Sequence, residues 1–319
     1  MSYPIKRLLV FPLVMLGVAI FVFIAIRLVP GDAITAMLGT ESGLLTSAQR
    51  EALSAYFGLD QNWFVQFWRW LVGVLQGNLG ISTTYGKPVI TIIWEHFPLT
   101  LELAVLSMLI ALTIGIPAGI YAAANKDRPS DLIVRFVAMF GQSTPSFVVG
   151  LLLVYLLSVG FGVLPEMGTF VPIIEDPLAN LAQMILPAIT LGTAFAAAVI
   201  RMTRSTMLDI LQEDYVRTAR SKGMPRRRVI WRHALPNALI PVITLSGVEF
   251  GYLLGGAVLV EQIFALPGLG RTVLNAILQR DYALVQGSVL FIAFNFMIVN
   301  LLVDLAYAAL DPRIRFESK

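Results

Sequence analysis

The residues with the most pointed chemistry lie between positions 213 and 241, EDYVRTARSKGMPRRRVIWRHALPNALIP. Glu213 and Asp214 stand early in a run of good helix formers that extends from Asp209 to Arg220, where a helix dipole favours acids. Tyr215, Arg217, Thr218, Ala219, Arg220 and Lys222 follow, and Gly223 with Met224 and Pro225 stops the run sharply. Pro225 is suited to open a second helix through Arg226, Arg227 and Arg228 to Leu235. A short charged helix closed by glycine makes a rigid knob, and its chemistry is electrostatic docking onto a partner. The competing reading is an ordinary basic loop that holds topology and touches anionic lipid. Nucleic acid is a poor ligand for it, because the basic stretch is short, flanked by apolar segments and has no interleaved aromatics beyond Trp231.

Nothing in the chain suggests catalysis. There is no G-x-x-x-x-G-K-[ST] phosphate loop; Gly268-Leu269-Gly270-Arg271-Thr272 resembles only its end and lacks the lysine. Cysteine is absent, so neither disulfides nor thiolate metal sites are available. His96 and His233 fall on opposite sides of the expected membrane, His96 as an interfacial residue and His233 as a loop contact. The chain is therefore expected to bind no metal or cofactor and to hydrolyse nothing itself.

Two further groups stand out because they interrupt apolar sequence. Gln142, Ser143, Thr144, Pro145 and Ser146 lie inside one apolar run, where Pro145 removes a backbone donor and the hydroxyls can re-satisfy freed carbonyls. Polar side chains grouped at such a break suit a translocation pathway, although proline kinks, as at Pro117 and Pro187, are common in membrane helices. Glu249 lies midway along another run, flanked by Gly247, Gly251, Gly255 and Gly256, a small-residue stripe suited to close helix packing. A charge there is costly against lipid, so Glu249 is expected to face either a partner protein or a water-lined cavity.

The elements that must position these residues are transmembrane helices. The chain of 319 residues is 57% hydrophobic and 13% charged, against about a quarter charged in soluble domains. A bilayer core of about 30 Å needs about 20 apolar residues, and six stretches qualify: 8–29, 99–124, 134–163, 181–203, 237–261 and 284–309. With the N-terminus inside, the inner segments collect Lys6, Arg7, Lys126, Arg128, Arg135, the arginines from Arg201 to Arg232, and Arg313, Arg315 and Lys319. The outer ones hold only Arg27, Arg50, Arg69, Lys87, Arg271 and Arg280, so both termini are expected in the cytoplasm. The first apolar run is too long for a signal-peptide core and reads as a retained anchor. In the long outer loop, Thr46 and Gln49 suggest a capping box for a short helix that Gly58 ends. The run from Trp63 to Leu75 is too short to span and suits an interfacial helix. That helix either anchors the loop or forms part of a surface receiving an external substrate carrier. The chain thus divides into a tail and first helix (1–30), an outer loop (31–98), a five-helix core (99–310) with the basic loop at 204–236, and a tail (311–319).

The basic loop resembles the coupling loop of ATP-binding-cassette importer permeases of the dipeptide/oligopeptide/nickel family. That pattern is E-A-A, three residues, Gly, nine residues, Ile, one residue, Leu-Pro. Ala219, Gly223, Leu235 and Pro236 match it in spacing, while Arg217, Thr218 and His233 replace Glu, Ala and Ile. Further along, Glu261 to Gly270 look like the family's E-x-x-F-x-x-P-G-L-G segment, and Arg280-Asp281-Tyr282 like its R-D-Y. Asn300, Asp304 and the terminal DPRIR (311–315), the GNLGIS turn (77–82), and Arg27 with Pro30-Gly31-Asp32 also fit, so the resemblance covers nearly the whole chain.

The resemblance implies an all-α, polytopic fold of about six transmembrane helices, of the type I importer kind, in the bacterial inner membrane. It implies a second, related permease as partner, two cytoplasmic subunits that bind ATP and Mg, and an extracytoplasmic substrate-binding protein, with membrane lipid around them. Glu213, Asp214, Tyr215, Arg217, Thr218, Ala219, Arg220, Lys222, Gly223 and Pro225 would couple to the ATPases. Gln142, Ser143, Pro145, Glu249 and Glu261 would line the pathway or the subunit interface. Di- or oligopeptides are the leading substrates, with nickel, glutathione or sugar as alternatives. From another class, a secondary transporter driven by an ion gradient would show internal repeats and buried midplane charges, and neither stands out here. A structural or sensory membrane scaffold is a third possibility, which the coupling-loop match disfavours.

Overall fold

A computed structural model of the chain describes residues 3–28, 43, 45–56, 60–162, 168 and 170–310. The elements among them are helical, and extended chain pairs there only at an antiparallel bridge between Ile81 and Pro88. Five helices are long and apolar enough to cross a membrane: Val10–Leu28, Val89–Ala124, Pro177–Ile210, Arg226–Gly255 and Tyr282–Leu305. The third expected span, 134–163, is broken, its halves Pro129–Ser143 and Ser146–Gly160 meeting at 96°.

In chain order, α1 (Tyr3–Leu28) lies along the last helix, Phe11 meeting Phe294 edge-on at 5.7 Å. Before α2 (Ser47–Tyr56) the capping box forms as the spacing predicts. The Thr46 amide donates to Gln49 Oε1 at 2.9 Å, and the Gln49 amide to Thr46 Oγ1 at 3.3 Å. Gly58, expected to end this helix, lies outside the described residues, as do Pro30, Gly31, Asp32 and the tail 311–319. In α3 (Trp63–Leu75) no residue is fully buried, and Asn62 caps its start by accepting from the Phe64 amide. It is held to α1 by Phe67 and Trp70 against Phe23, and by Arg27, which donates to Gln66 Oε1 at 2.7 Å.

The centre of the molecule is the pair α4 (Val89–Ala124) and α7 (Pro177–Ile210). α4 begins ten residues before the expected edge at 99. The stretch 89–98 reads as loop because it carries Glu95, His96 and Pro98, yet Val89, Ile92 and Ile93 are wholly buried and pull it into the helix. Its polar groups are satisfied locally: Glu95 pairs with Lys87 at 3.0 Å, and His96 Nδ1 lies 2.8 Å from the Ile92 carbonyl. α7 starts at Pro177 behind Asp176, which accepts from the amides of Leu178 and Ala179. Van der Waals packing, the main source of helix association in lipid, is dense here. Leu103, Met184, Leu253, Phe264, Leu266, Leu269 and Leu284 are each at most 2% exposed.

Between the two, α5 (Pro129–Ser143) and α6 (Ser146–Tyr155) meet at Thr144–Pro145. The interruption expected at Pro145 is therefore present, as a near right angle rather than a kink. Ser143 Oγ donates to the Met139 carbonyl and Thr144 Oγ1 to the Phe140 carbonyl, each at 2.9 Å, so both hydroxyls fold back onto the last turn of α5.

The sequence reading of one helix from Asp209 to Arg220 is corrected. α7 ends at Ile210, and a separate short helix, α8 (Asp214–Ser221), follows. Nor is there a second short helix ending at Leu235. One α-helical turn, Arg226–Arg228, runs through a π-helical stretch, Val229–Ala234, directly into α9 (Leu235–Gly256). The expected span 237–261 therefore starts earlier and stops at Gly256. Beyond it lie α10 (Val258–Ile263), α11 (Leu269–Leu278) and the last span α12 (Tyr282–Leu310). α8 and Arg226 mark one end of the bundle, called here the basic end; α3, α10 and α11 mark the far end.

Candidate coupling element and pathway

α8 is a helix because its two apolar residues share one face and both ends are closed. Val216 and Ala219, three apart, are buried against Val229, Ile210, Leu211 and Met224. At the start, the Glu213 carbonyl accepts from the amides of Val216 and Arg217, both at 3.0 Å. At the end, the Met224 amide donates to the Ala219 carbonyl (3.4 Å) and the Gly223 amide to that of Arg220 (2.9 Å). This is the six-to-one and five-to-two pattern of a Schellman close. It needs a left-handed residue at position 223, and Gly223 has φ +77° with nothing near enough to crowd a side chain. Pro225 precedes the following turn rather than opening it, its carbonyl accepting from the Val229 amide.

The residues expected to dock fall on the outer face: Glu213, Asp214, Tyr215, Arg217, Thr218, Arg220, Lys222, Gly223 and Pro225 are exposed. Ala219 is not among them; at 6% exposure it faces inward and holds the helix to the chain. The Arg217–Asp214 pair (3.5 Å) is open to solvent, and exposed pairs of this kind add little stability. His233, expected as a loop contact, lies in the π-helical stretch, its Nε2 buried without a hydrogen-bond partner among the described residues.

Three anchoring contacts were missed by sequence reasoning. Asn237 Nδ2 donates to the Tyr215 hydroxyl at 2.8 Å, tying α8 to the first turn of α9. Arg204 and Asp131 join α7 to α5, and Arg226 donates to the carbonyl of Ala124. Asp131 and Arg204 stand 73 positions apart, so no local signal pairs them.

The other candidates separate. Gln142 is exposed at the end of α5, beside the break. Glu249 is half-buried on α9. The glycine stripe beside it packs on this chain's own α12: a Cβ at Gly247 would lie 1.9 Å from Val303 Cγ2, and one at Gly251 would lie 2.6 Å from Phe296 Cδ2. Two residues along a helix is about 200° around it, so Glu249 points away from α12.

Glu261 lies inside the chain rather than on any surface, wholly buried at the far end. Its Oε1 accepts from Thr100 Oγ1 and its Oε2 from the Arg271 amide, both at 2.7 Å, while Thr100 Oγ1 accepts from the Leu269 amide at 2.9 Å. The carboxylate thus caps α11, whose own cap position, Gly268, has no side chain. A Cβ there would sit 2.3 Å from Glu261 Cδ. Asp281 does a parallel job at the start of α12. It accepts from Ser82 Oγ, the Thr84 amide (3.0 Å) and the Leu284 amide (3.1 Å), and so pins the turn around residues 77–88.

Residues 115–316 match the family model described as binding-protein-dependent transport system inner membrane component, and residues 1–104 match its N-terminal companion. The glutathione transport system permease protein GsiC of Salmonella paratyphi A is 41% identical over 318 residues, 99% of this chain and 100% of that protein. GsiC of Escherichia coli K12 is 38% identical over 317 residues, again 99% and 100%. Among solved structures, an inward-facing MetNI methionine ABC transporter aligns with a TM-score of 0.57 at 17% identity, covering 69% of this chain and 96% of that one. That likeness concerns the fold.

Proposed function

The chain belongs to the family of binding-protein-dependent transport system inner membrane components, as a permease subunit of an ABC importer, and we propose that it moves glutathione or a similarly small peptide. The full-length 41% identity to a glutathione transport permease carries the substrate reading. α8 is the contact with a cytoplasmic ATPase, with Arg217, Arg220 and Lys222 on the face it presents. The basic end then lies in the cytoplasm, together with both termini. The far end receives substrate from an external binding protein, beside α3 and the turn at residues 77–88. A second, related permease completes the pathway, with Gln142 and Glu249 turned toward the shared space. Two partner ATPases supply the energy, so the permease is a bistable element biased by what binds at each face.

The test is uptake into vesicles holding the full complex with its binding protein. Labelled glutathione is expected to accumulate only with ATP, and unlabelled glutathione to compete better than a dipeptide or a nickel complex. Competition by dipeptides but not by glutathione would return the substrate to the broader peptide class. Accumulation driven by an ion gradient without ATP would overturn the coupling reading altogether.

A further inference from the structure

The turn joining α4 to α5 is gripped from both flanks of α8. Ahead of α8, Arg204 near the end of α7 donates Nε to Asp131 Oδ1 at 2.7 Å and Nη2 to Oδ2 at 2.8 Å. Such a two-pronged pair fixes direction as well as distance. Asp131 is wholly buried in the first turn of α5, where it also accepts from the Asp127 amide (3.1 Å) and has Arg135 Nε at 3.7 Å. Asp127 itself sits at φ +64°, a conformation the surrounding contacts must hold. After α8, Arg226 donates to the Ala124 carbonyl at the end of α4. Above this level Ala138 of α5 packs with Ala197 and Ile200 of α7. A buried carboxylate parted from its guanidinium is strongly disfavoured. The pair therefore resists sliding of α5 past α7 at this end.

We propose that Asp131 and Arg204 bolt α5 to α7, so that a push on α8 moves both helices as one body and reaches the break at Thr144–Pro145. Both are positioning residues that act through α8 and face no ligand. The inference rests on the reading of α8 as the ATPase contact.

Because the chain has no native cysteine, a disulfide tests it cleanly. A Cβ on Gly141 of α5 would lie 3.7 Å from Ala197 Cβ on α7, within disulfide range. In the full complex in vesicles, oxidised Gly141→Cys/Ala197→Cys is expected to keep its ATP-driven uptake, since the joined helices already travel together. Loss of uptake on oxidation, restored by reductant, would overturn the bolt. In parallel, Asp131→Asn is expected to lower substrate moved per ATP hydrolysed by about tenfold, a typical size for coupling between sites. The reversed pair Asp131→Arg/Arg204→Asp is expected to recover part of that loss. An unchanged ratio in Asp131→Asn at matched assembly would also overturn it, and if that variant fails to assemble the disulfide decides. Wild-type complex run alongside separates the two readings. Its failure to use ATP would sink the importer coupling, whereas its normal uptake beside a blocked disulfide would sink only the bolt.

Discussion

Removing the Glu261 carboxylate strands the Arg271 amide and the Thr100 hydroxyl in a buried site. Glu261→Ala is therefore expected to destabilise the permease by about 3 kcal/mol, the scale for breaking a buried, charge-assisted network. Equilibrium unfolding of the purified chain in detergent measures this. Uptake per folded molecule is expected to stay near wild type, because the side chain touches nothing outside its own chain. A stable variant with altered substrate preference would put Glu261 back in the pathway. The sequence shows an acid in apolar surroundings and a motif ending in Pro-Gly-Leu-Gly, but the donor that explains the acid stands 161 positions upstream, at Thr100. Asp131 and Arg204 are hidden for the same reason, 73 positions apart. Gly223 was legible because a Schellman close is local: the glycine, the helix before it and the proline after it all lie within a dozen residues.

At the scale of elements, α9 and α12 meet where Gly247 and Gly251 of α9 leave room for Val303 and Phe296 of α12. Gly247→Ala places a methyl group against Val303, and overpacking of this kind costs about 1–3 kcal/mol. The loss is expected to appear in the same unfolding measurement, and Val303→Ala in the same chain is expected to return part of it by vacating the space. No recovery would mean that the helices meet differently. The stripe itself was readable from glycines four apart; its partner was not, since small residues suit a helix of this chain and of another equally well. Helix ends fared differently again. The start of α4 was missed because Glu95, His96 and Pro98 look like loop, and only the burial of Val89, Ile92 and Ile93 shows why the helix continues. The gap between α7 and α8 was missed because the residues from Asp209 to Arg220 are good helix formers. Val216 and Ala219 must turn back onto Val229, which a helix continuing straight from α7 would not allow.

For the whole molecule, composition and span count made a multi-pass membrane fold legible, and the order of several motifs made the family legible. The break in the third span was marked by Pro145 and its neighbours, while its 96° angle depends on how α5 and α6 each lie on α7. The central claim is that α8 carries force between an ATPase and the spans, and Gly223→Trp tests it most directly. The structure leaves open space at Gly223, so within this chain the cost is mainly the left-handed backbone, about 1–2 kcal/mol, while the ring projects into any docked partner. In vesicles holding the complete transporter, the variant is expected to assemble and hydrolyse ATP while uptake falls by about tenfold or more. Wild-type uptake by Gly223→Trp at matched expression would contradict the account.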